Sequence, residues 1–482
     1  MFQCVSGAAV RRVFSLSAAL LVSACSTVAT TTAPSPSPAP ASPFTGFFKN
    51  FSTCRSEFDA IEARIAEAGV REASFHVVPG FAYLRTDRML ASFRDQVSGV
   101  DDVWEWTRRM RELEEEARDY ELMNLGIPNP QRADLRARLA DCGRVLAAIE
   151  LADDANWAKL QAAVKPADQP AAVTEAAFDP AQWQRDYLAP LQALPAGTSM
   201  RLWAPKPVED LRLLDQLPQA VELNVLQYPS MTNSAWRALA ERHAPRLWIE
   251  TASEQDLPAA PAYLPQGLGA DTGQSPVYYQ IGYTRFGGAT LVQITYVAWF
   301  KAAASAPAPL EGLIWRVTLD AAMKVLSYDS LRASGQDHRW YPVQPLSPQP
   351  DRLASGQLYV APELAPATGA TLRVASGDHQ LRRVVPAAQA ASAKTGEYEL
   401  RAYEDLYALP LADGNTRSLF GPDGTLATTA RAARPEVPRQ TGHHAPADVT
   451  PLHLDDPYVL EAVFVPVPQQ PLRTMQTAQL RR

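Results

Sequence analysis

Cysteine is almost absent: the chain has four in 482 residues. That excludes a disulfide-dense scaffold, the usual refuge of small secreted domains. An excess of positive charge is also missing. Lys and Arg total 45 against 52 Asp and Glu, for a formal net charge of −7, which argues against nucleic acid as a partner. The most apolar segment near the N-terminus, Val13–Val22, is too short to be a permanent membrane span. Familiar catalytic signatures are lacking as well. There is no Gly-x-Ser-x-Gly elbow, no Ser-x-x-Lys pair, and no pair of histidines one helical turn apart around a glutamate.

The first 25 residues carry the most specific pattern. Arg11 and Arg12 precede the short apolar run, which ends in Val22-Ser23-Ala24-Cys25. This resembles the lipobox of bacterial lipoproteins. The resemblance implies a signal peptide over residues 1–24, cleavage before Cys25, and acylation of the Cys25 thiol and the new amino terminus with palmitate-like chains. Several acyl chains hold a protein at a membrane where one holds it marginally. An ordinary secretory leader, with Cys25 incidental, is the alternative. Ser26 stands where an aspartate would favour inner-membrane retention, so the expected address is the periplasmic face of the outer membrane. Removal of the leader takes away Arg11 and Arg12 and no acid, leaving the body still more acidic.

Residues 25–45 form a Ser/Thr/Pro-rich tether that includes Pro34-Ser-Pro-Ser-Pro-Ala-Pro40. Alternating proline favours an extended, semi-rigid spacer. The 41 prolines otherwise crowd strand connections, so long helices are expected only in the helical domain, residues 46–165. There, Ser56–Ala68, Val103–Leu125, a helix opened by Asn129-Pro130, and Asn156–Val164 show helical spacing, with Thr86 as a cap before Met89. Cys142 falls on the apolar stripe of its helix. In an oxidising compartment Cys54 and Cys142 are expected to pair and staple this unit. The mixed-charge run Arg108–Arg118 reads as a solvated face with i,i+4 pairs.

A linker at 166–200 leads to a β-rich domain over 201–470, with a small mixed α/β entry segment and a tail at 471–482. Strands are expected at Val277–Phe286, Thr290–Phe300 and Leu313–Ser330, the last broken near Asp320. The second is apolar on both faces, as in a central strand covered on both sides. Gly287-Gly288 suits a hairpin turn. The Gly-rich run Gly267–Gly273 has no following helix to bind a phosphate and reads as a loop. The expected class is α+β, a disulfide-stapled helical domain followed by a larger, mainly antiparallel β domain, either sandwich or curved sheet. Segments Pro79–Phe93, Tyr278–Phe286 and Pro451–Leu460 are similar to those of proteobacterial secreted proteins of unknown function, a resemblance that implies no activity.

Five of the seven histidines follow residue 337. His338, His379, His444 and His453 lie in turn-like settings near Asp337, Asp378, Asp448 and Asp455, which is compatible with one mononuclear zinc or iron site if the loops converge. Separate, hydrogen-bonded turn histidines are the alternative. The aromatic residues of 277–330 belong either to the core or to a groove for a glycan, lipid or peptide. Two functions follow. The first is a non-enzymatic envelope lipoprotein, a binding or structural module with no cofactor and an envelope protein or glycan as partner. The second is a metal-dependent hydrolytic or oxidative enzyme built on the histidines.

Overall fold

The computed structural model describes residues 43–165, 179–190, 194, 196–206, 222–354, 356, 358–390, 394–427, 436–449 and 451–468. The leader, Cys25, most of the tether, residues 166–178 of the linker and the tail at 471–482 lie outside them.

The N-terminal layer comprises α1 (Pro43–Ala68), a hairpin of β1 (His76–Val78) and β2 (Phe81–Thr86), α2 (Arg88–Ala91), α3 (Val100–Asn124), α4 (Asn129–Glu150) and α5 (Asp154–Ala163). Phe58, Ile61 and Ile65 of α1 recur at helical spacing and are buried against Tyr83, Leu139 and Leu146. Cys54 of α1 and Cys142 of α4 form the expected disulfide across 88 residues. Three local readings change. The hairpin sits inside what reads as purely helical sequence. The cap before Met89 is Asp87, whose Oδ1 accepts from the Leu90 amide at 2.6 Å, while Thr86 ends β2. The charged run is also not all solvated. Glu114, Arg118 and Glu121 are buried, and Arg85 from β2 donates to both Glu121 oxygens at 2.8 Å. The long α3 stripe needs this partner because β2 packs directly on it, which no i,i+4 rule foresees.

The β domain begins with α6 (Pro180–Leu188), β3 (Ser199–Pro205), β4 (Glu222–Leu223), β5 (Pro229–Ser230) and α7 (Asn233–His243). Next come β6 (Arg246–Thr251), β7 (Ala260–Leu264), β8 (Gly267–Asp271), β9 (Pro276–Phe286), β10 (Ala289–Lys301), β11 (Leu310–Leu319), β12 (Val325–Arg332) and β13 (Arg339–Pro342). The chain continues through α8 (Pro350–Ala354), β14 (Ala370–Val374), β15 (Leu381–Pro386), β16 (Lys394–Ala402), β17 (Leu409–Pro410), β18 (Thr416–Arg417) and α9 (Val459–Val463). The Gly267–Gly273 run is mostly strand β8, paired antiparallel with β7, and not a loop.

Ten strands form one sheet in the order β13-β12-β11-β10-β9-β16-β3-β6-β14-β15. It is antiparallel except at β9/β16, β16/β3 and β6/β14. The β9–β10 turn is Gly287-Gly288, with φ of 58° and 82°, the doubly left-handed geometry of a two-residue hairpin. The sheet curls until its outer strands meet. Arg339 of β13 donates to the Leu381 carbonyl of β15 at 2.8 Å. Trp183 and Tyr187 of α6 bridge the two edges, packing on Tyr341 and reaching the Val384 carbonyl. The concave face holds the largest core, including Ile249, Ile294, Tyr296, Trp315, Leu372 and Tyr398, and takes in α7 through Leu239 and Ala240. Ten strands are near the limit for an open twisted sheet, and curling buries this apolar face. The class is α+β with a curved sheet, not two stacked sheets.

Candidate functional site

On the opposite face, side chains of β9 to β13 stand in register. Thr295 pairs with Gln280 and Arg316, Arg316 with Asp329, and Asp329 with Trp340. This polar row lies between apolar patches and faces the helical layer and the chain after residue 436. The two layers are tied together by Arg88, which donates to the Gly442 carbonyl at 2.7 Å and to Asp455 at 2.9 Å, and by Ser74 Oγ against Tyr407 Oη at 2.8 Å. Between them remains a cleft of about 540 Å³, within the range of small-ligand sites.

The cleft exists because β9 loses its neighbour. β16 pairs with β9 only from Pro276 to Tyr279 and then turns into a 3-10 segment, Tyr403–Ala408. At the other end the Arg285 amide donates to the Pro457 carbonyl at 2.6 Å. In between, Tyr279, Gln280, Ile281, Gly282 and Tyr283 all line the cleft, and each is half-buried. Successive strand residues point to opposite faces, so five in a row reach one cavity only across the strand edge. The facing walls are Arg109, Glu112, Leu113 and Glu116 of α3, Asp87 and Met89, and Tyr228 with Trp236.

Electrostatically the cleft is unbalanced. Glu116 opens onto the cavity but is walled in around it. That enclosure, then Glu404, Glu72 and Asp87, pushes its carboxyl up to about 8. Burial likewise raises Glu404 and Asp87. Cations are nearby but engaged. Arg109 contacts Glu105 at 3.3 Å and stacks over the Tyr228 ring at 4.2 Å. Arg88 belongs to Asp455, whose carboxyl it and His453 hold low against burial.

Beneath the floor runs a buried chain of charges. His338 donates from Nδ1 to Asp448 and from Nε2 to Asp329, both at 2.9 Å. Asp329 in turn accepts from Arg316 Nε at 2.9 Å. Burial alone would lower the ring's affinity for its proton, but Asp448 and Asp329 outweigh it and raise His338 to about 9. Donation from both nitrogens requires that protonated form. Arg316 Nη1 donates to the Leu454 carbonyl at 2.7 Å, while Nη2 has no partner among the described residues. Arg316, 3% exposed, is part of the cleft wall.

The four histidines do not share one site. Among the described residues no group of three or more His, Cys, Asp or Glu is disposed to hold a metal ion. His338 is spent on two carboxylates. His379 stacks on Phe300 at 4.2 Å and donates to Glu311 at 2.7 Å. His444 donates from Nε2 to the Ala333 carbonyl at 2.9 Å, and burial drops its pKa to about 4. His453 is buried beside Asp455. His338, His444 and His453 do gather around one segment, since Leu454 binds Arg316 by its carbonyl and the His444 carbonyl by its amide. The His338 and His444 rings address different partners. The aromatic residues divide: Tyr296, Trp299, Phe300, Trp315 and Tyr328 are core, whereas Tyr279 and Tyr283 line the cleft. Neither the histidines nor any sequence motif points to Glu116, Glu404, Asp87 and Arg316. The available signal was Arg316 and Asp329, charges placed mid-strand in otherwise apolar runs. Comparison with protein-family models, curated proteins and solved structures finds no match for this chain.

Proposed function

We propose that this chain is a lipoprotein of the bacterial envelope that binds a ligand in the cleft beside β9 and does not transform it. One observation carries the reading: a partly enclosed cavity of about 540 Å³ lies where the sheet edge is open, and it combines aromatic walls with Glu116, whose charged neighbours Glu404, Glu72 and Asp87 are acids. Apolar walls with a few convergent polar groups are the usual composition of a ligand site. The perturbed carboxyls mark it further, because isolated acids in an enclosed place are costly unless a ligand meets them. The imidazoles of His338 and His444 are committed to carboxylates and to a carbonyl, which favours binding over proton shuttling.

The test is a thermal-shift panel of amines, neutral oligosaccharides, short peptides and fatty acids, run on the native chain and on Gly282→Phe. A Cβ at Gly282 meets only the Gln293 carbonyl oxygen, at 4.0 Å, so the added ring has room to occupy the cavity. At least one class should raise the melting temperature of the native chain and leave that of Gly282→Phe unchanged. Equal shifts in both proteins, or none in either, would remove the cleft as the site.

A further inference from the structure

Building on the reading of this cleft as a ligand site, we propose that it takes a short, extended, basic peptide. The peptide adds as a strand to the free edge of β9, with a cationic side chain among Glu116, Glu404 and Asp87. The first support is the backbone. The Arg285 amide points away from β10, to Pro457, and donor direction alternates along an antiparallel strand. Ile281 and Tyr283 therefore turn their main-chain groups to the same open side. No hydrogen bond to those groups is formed by any described residue. Main-chain donors and acceptors walled off from bulk water seek partners, and an incoming strand supplies both kinds at the matching spacing. The gap between the end of the β16 pairing at Tyr279 and the Pro457 contact at Arg285 spans roughly 20 Å at the strand rise, enough for about five residues, or a capped tetrapeptide.

The second support is charge. Glu404 stands at the Gln280 end, where the Gln280 side chain donates to it. Asp87 stands at the Tyr283 end, close to Tyr228 and Arg109. Glu116 interacts with both. Acids thus follow the edge along its length, and the occupant they favour is positive. The third support separates a peptide from a bare polyamine. The Ile281 and Tyr283 amides on the open edge have no acceptor among the described residues, and donors need acceptors. A peptide offers carbonyl oxygens there, whereas a polyamine offers none.

The experiment is isothermal titration of the full chain with acetyl-Thr-Lys-Thr-Lys-amide, its glutamate counterpart, spermidine, and two forms of the lysine peptide N-methylated at alternate residues. The lysine peptide should bind, with the glutamate peptide and spermidine at least tenfold weaker. One N-methylated form should lose binding and the other keep it, because only alternate amides face the shared edge. Glu116→Gln and Glu404→Gln should each weaken the lysine peptide roughly tenfold, the scale of one charge-assisted hydrogen bond. Gly282→Phe should abolish binding. Retention by both N-methylated forms, equal binding of the glutamate peptide or spermidine, or no binding of the lysine peptide overturns the proposal. If the peptides fail while another class in the thermal-shift panel still depends on Gly282, the ligand class is wrong and the cleft stands. If nothing depends on Gly282, both fall.

Discussion

His338 shows how much one buried side chain can organise. Its two carboxylate partners lie on β12 and in the segment after residue 446, so the ring joins the sheet to the chain that covers it. Removing the ring's charge leaves buried Asp448 with only the Trp340 indole N–H and Asp329 with only Arg316, so His338→Gln should lose about 3–5 kcal/mol in urea unfolding. The pH dependence has a definite sign. The folded pKa is raised, from the ordinary value near 6.5 to about 9, so the stabilisation is complete below pH 6.5 and is lost as pH rises through 9. The native chain should show stability falling across that window, and the variant should show less of the fall. Glu116 gives a second titration. Its carboxyl is raised by its walled-in position and by Glu404, Glu72 and Asp87, with Tyr120 also near. It is therefore largely neutral at pH 7 and ionises through about 8. Affinity for the lysine peptide should rise between pH 7 and 9 and level off above, and Glu116→Gln should flatten that rise.

Among the elements, α1 and α4 depend on a cross-link and β11 on a missing side chain. The Cys54–Cys142 bridge closes a loop of 88 residues, worth about 4–5 kcal/mol in the chain-entropy account. Cys54→Ser with Cys142→Ser should lower the urea midpoint of the helical layer accordingly, followed by the fluorescence of buried Trp106. Gly312 of β11 has no room for a methyl group: a Cβ would stand 2.9 Å from the Ala333 Cβ and 3.2 Å from the Trp299 ring. Both neighbours are buried, so Gly312→Ala should cost about 1–3 kcal/mol through overpacking, seen as a lower denaturation midpoint with an unchanged slope. These elements were partly legible beforehand. Helical spacing located α3 and α4 to within a few residues, and the Gly287-Gly288 turn located the β9–β10 hairpin. The β1–β2 hairpin was not legible, because short strands inside a helical layer are held by packing of Phe81, Tyr83 and Leu84 rather than by any period of their own.

At the scale of the whole molecule, the proposed anchor at Cys25 and the folded body make separate predictions. Cys25→Ala should abolish incorporation of labelled palmitate and move the protein from the membrane to the soluble fraction, while leaving its urea midpoint unchanged. Persistence of the label in that variant would remove the lipoprotein reading without touching the cleft. The body itself is one assembly: Arg88, Ser74 and Asn124 of the helical layer bond to Gly442, Tyr407 and their neighbours on the other side of the cleft. The ligand site depends on that docking, since neither layer alone encloses the edge of β9.

Strands β9 to β12, the long helices and the central place of β10 follow from local sequence, because periodicity and turn chemistry act over a few residues. The cleft does not. It arises where β16 parts from β9 after Tyr279, and strand pairing between residues more than a hundred positions apart leaves no local trace. The same holds for the carboxylates. Glu116 looks like any surface residue of a charged helix, and only the docking of α3 over the sheet brings Glu404 and Asp87 beside it at the opening of the cleft. The histidines mark the opposite case. Their sequence settings invited a shared metal, and the fold instead gave His338, His379 and His444 separate acceptors, because a buried imidazole is stabilised by the nearest carbonyl or carboxylate.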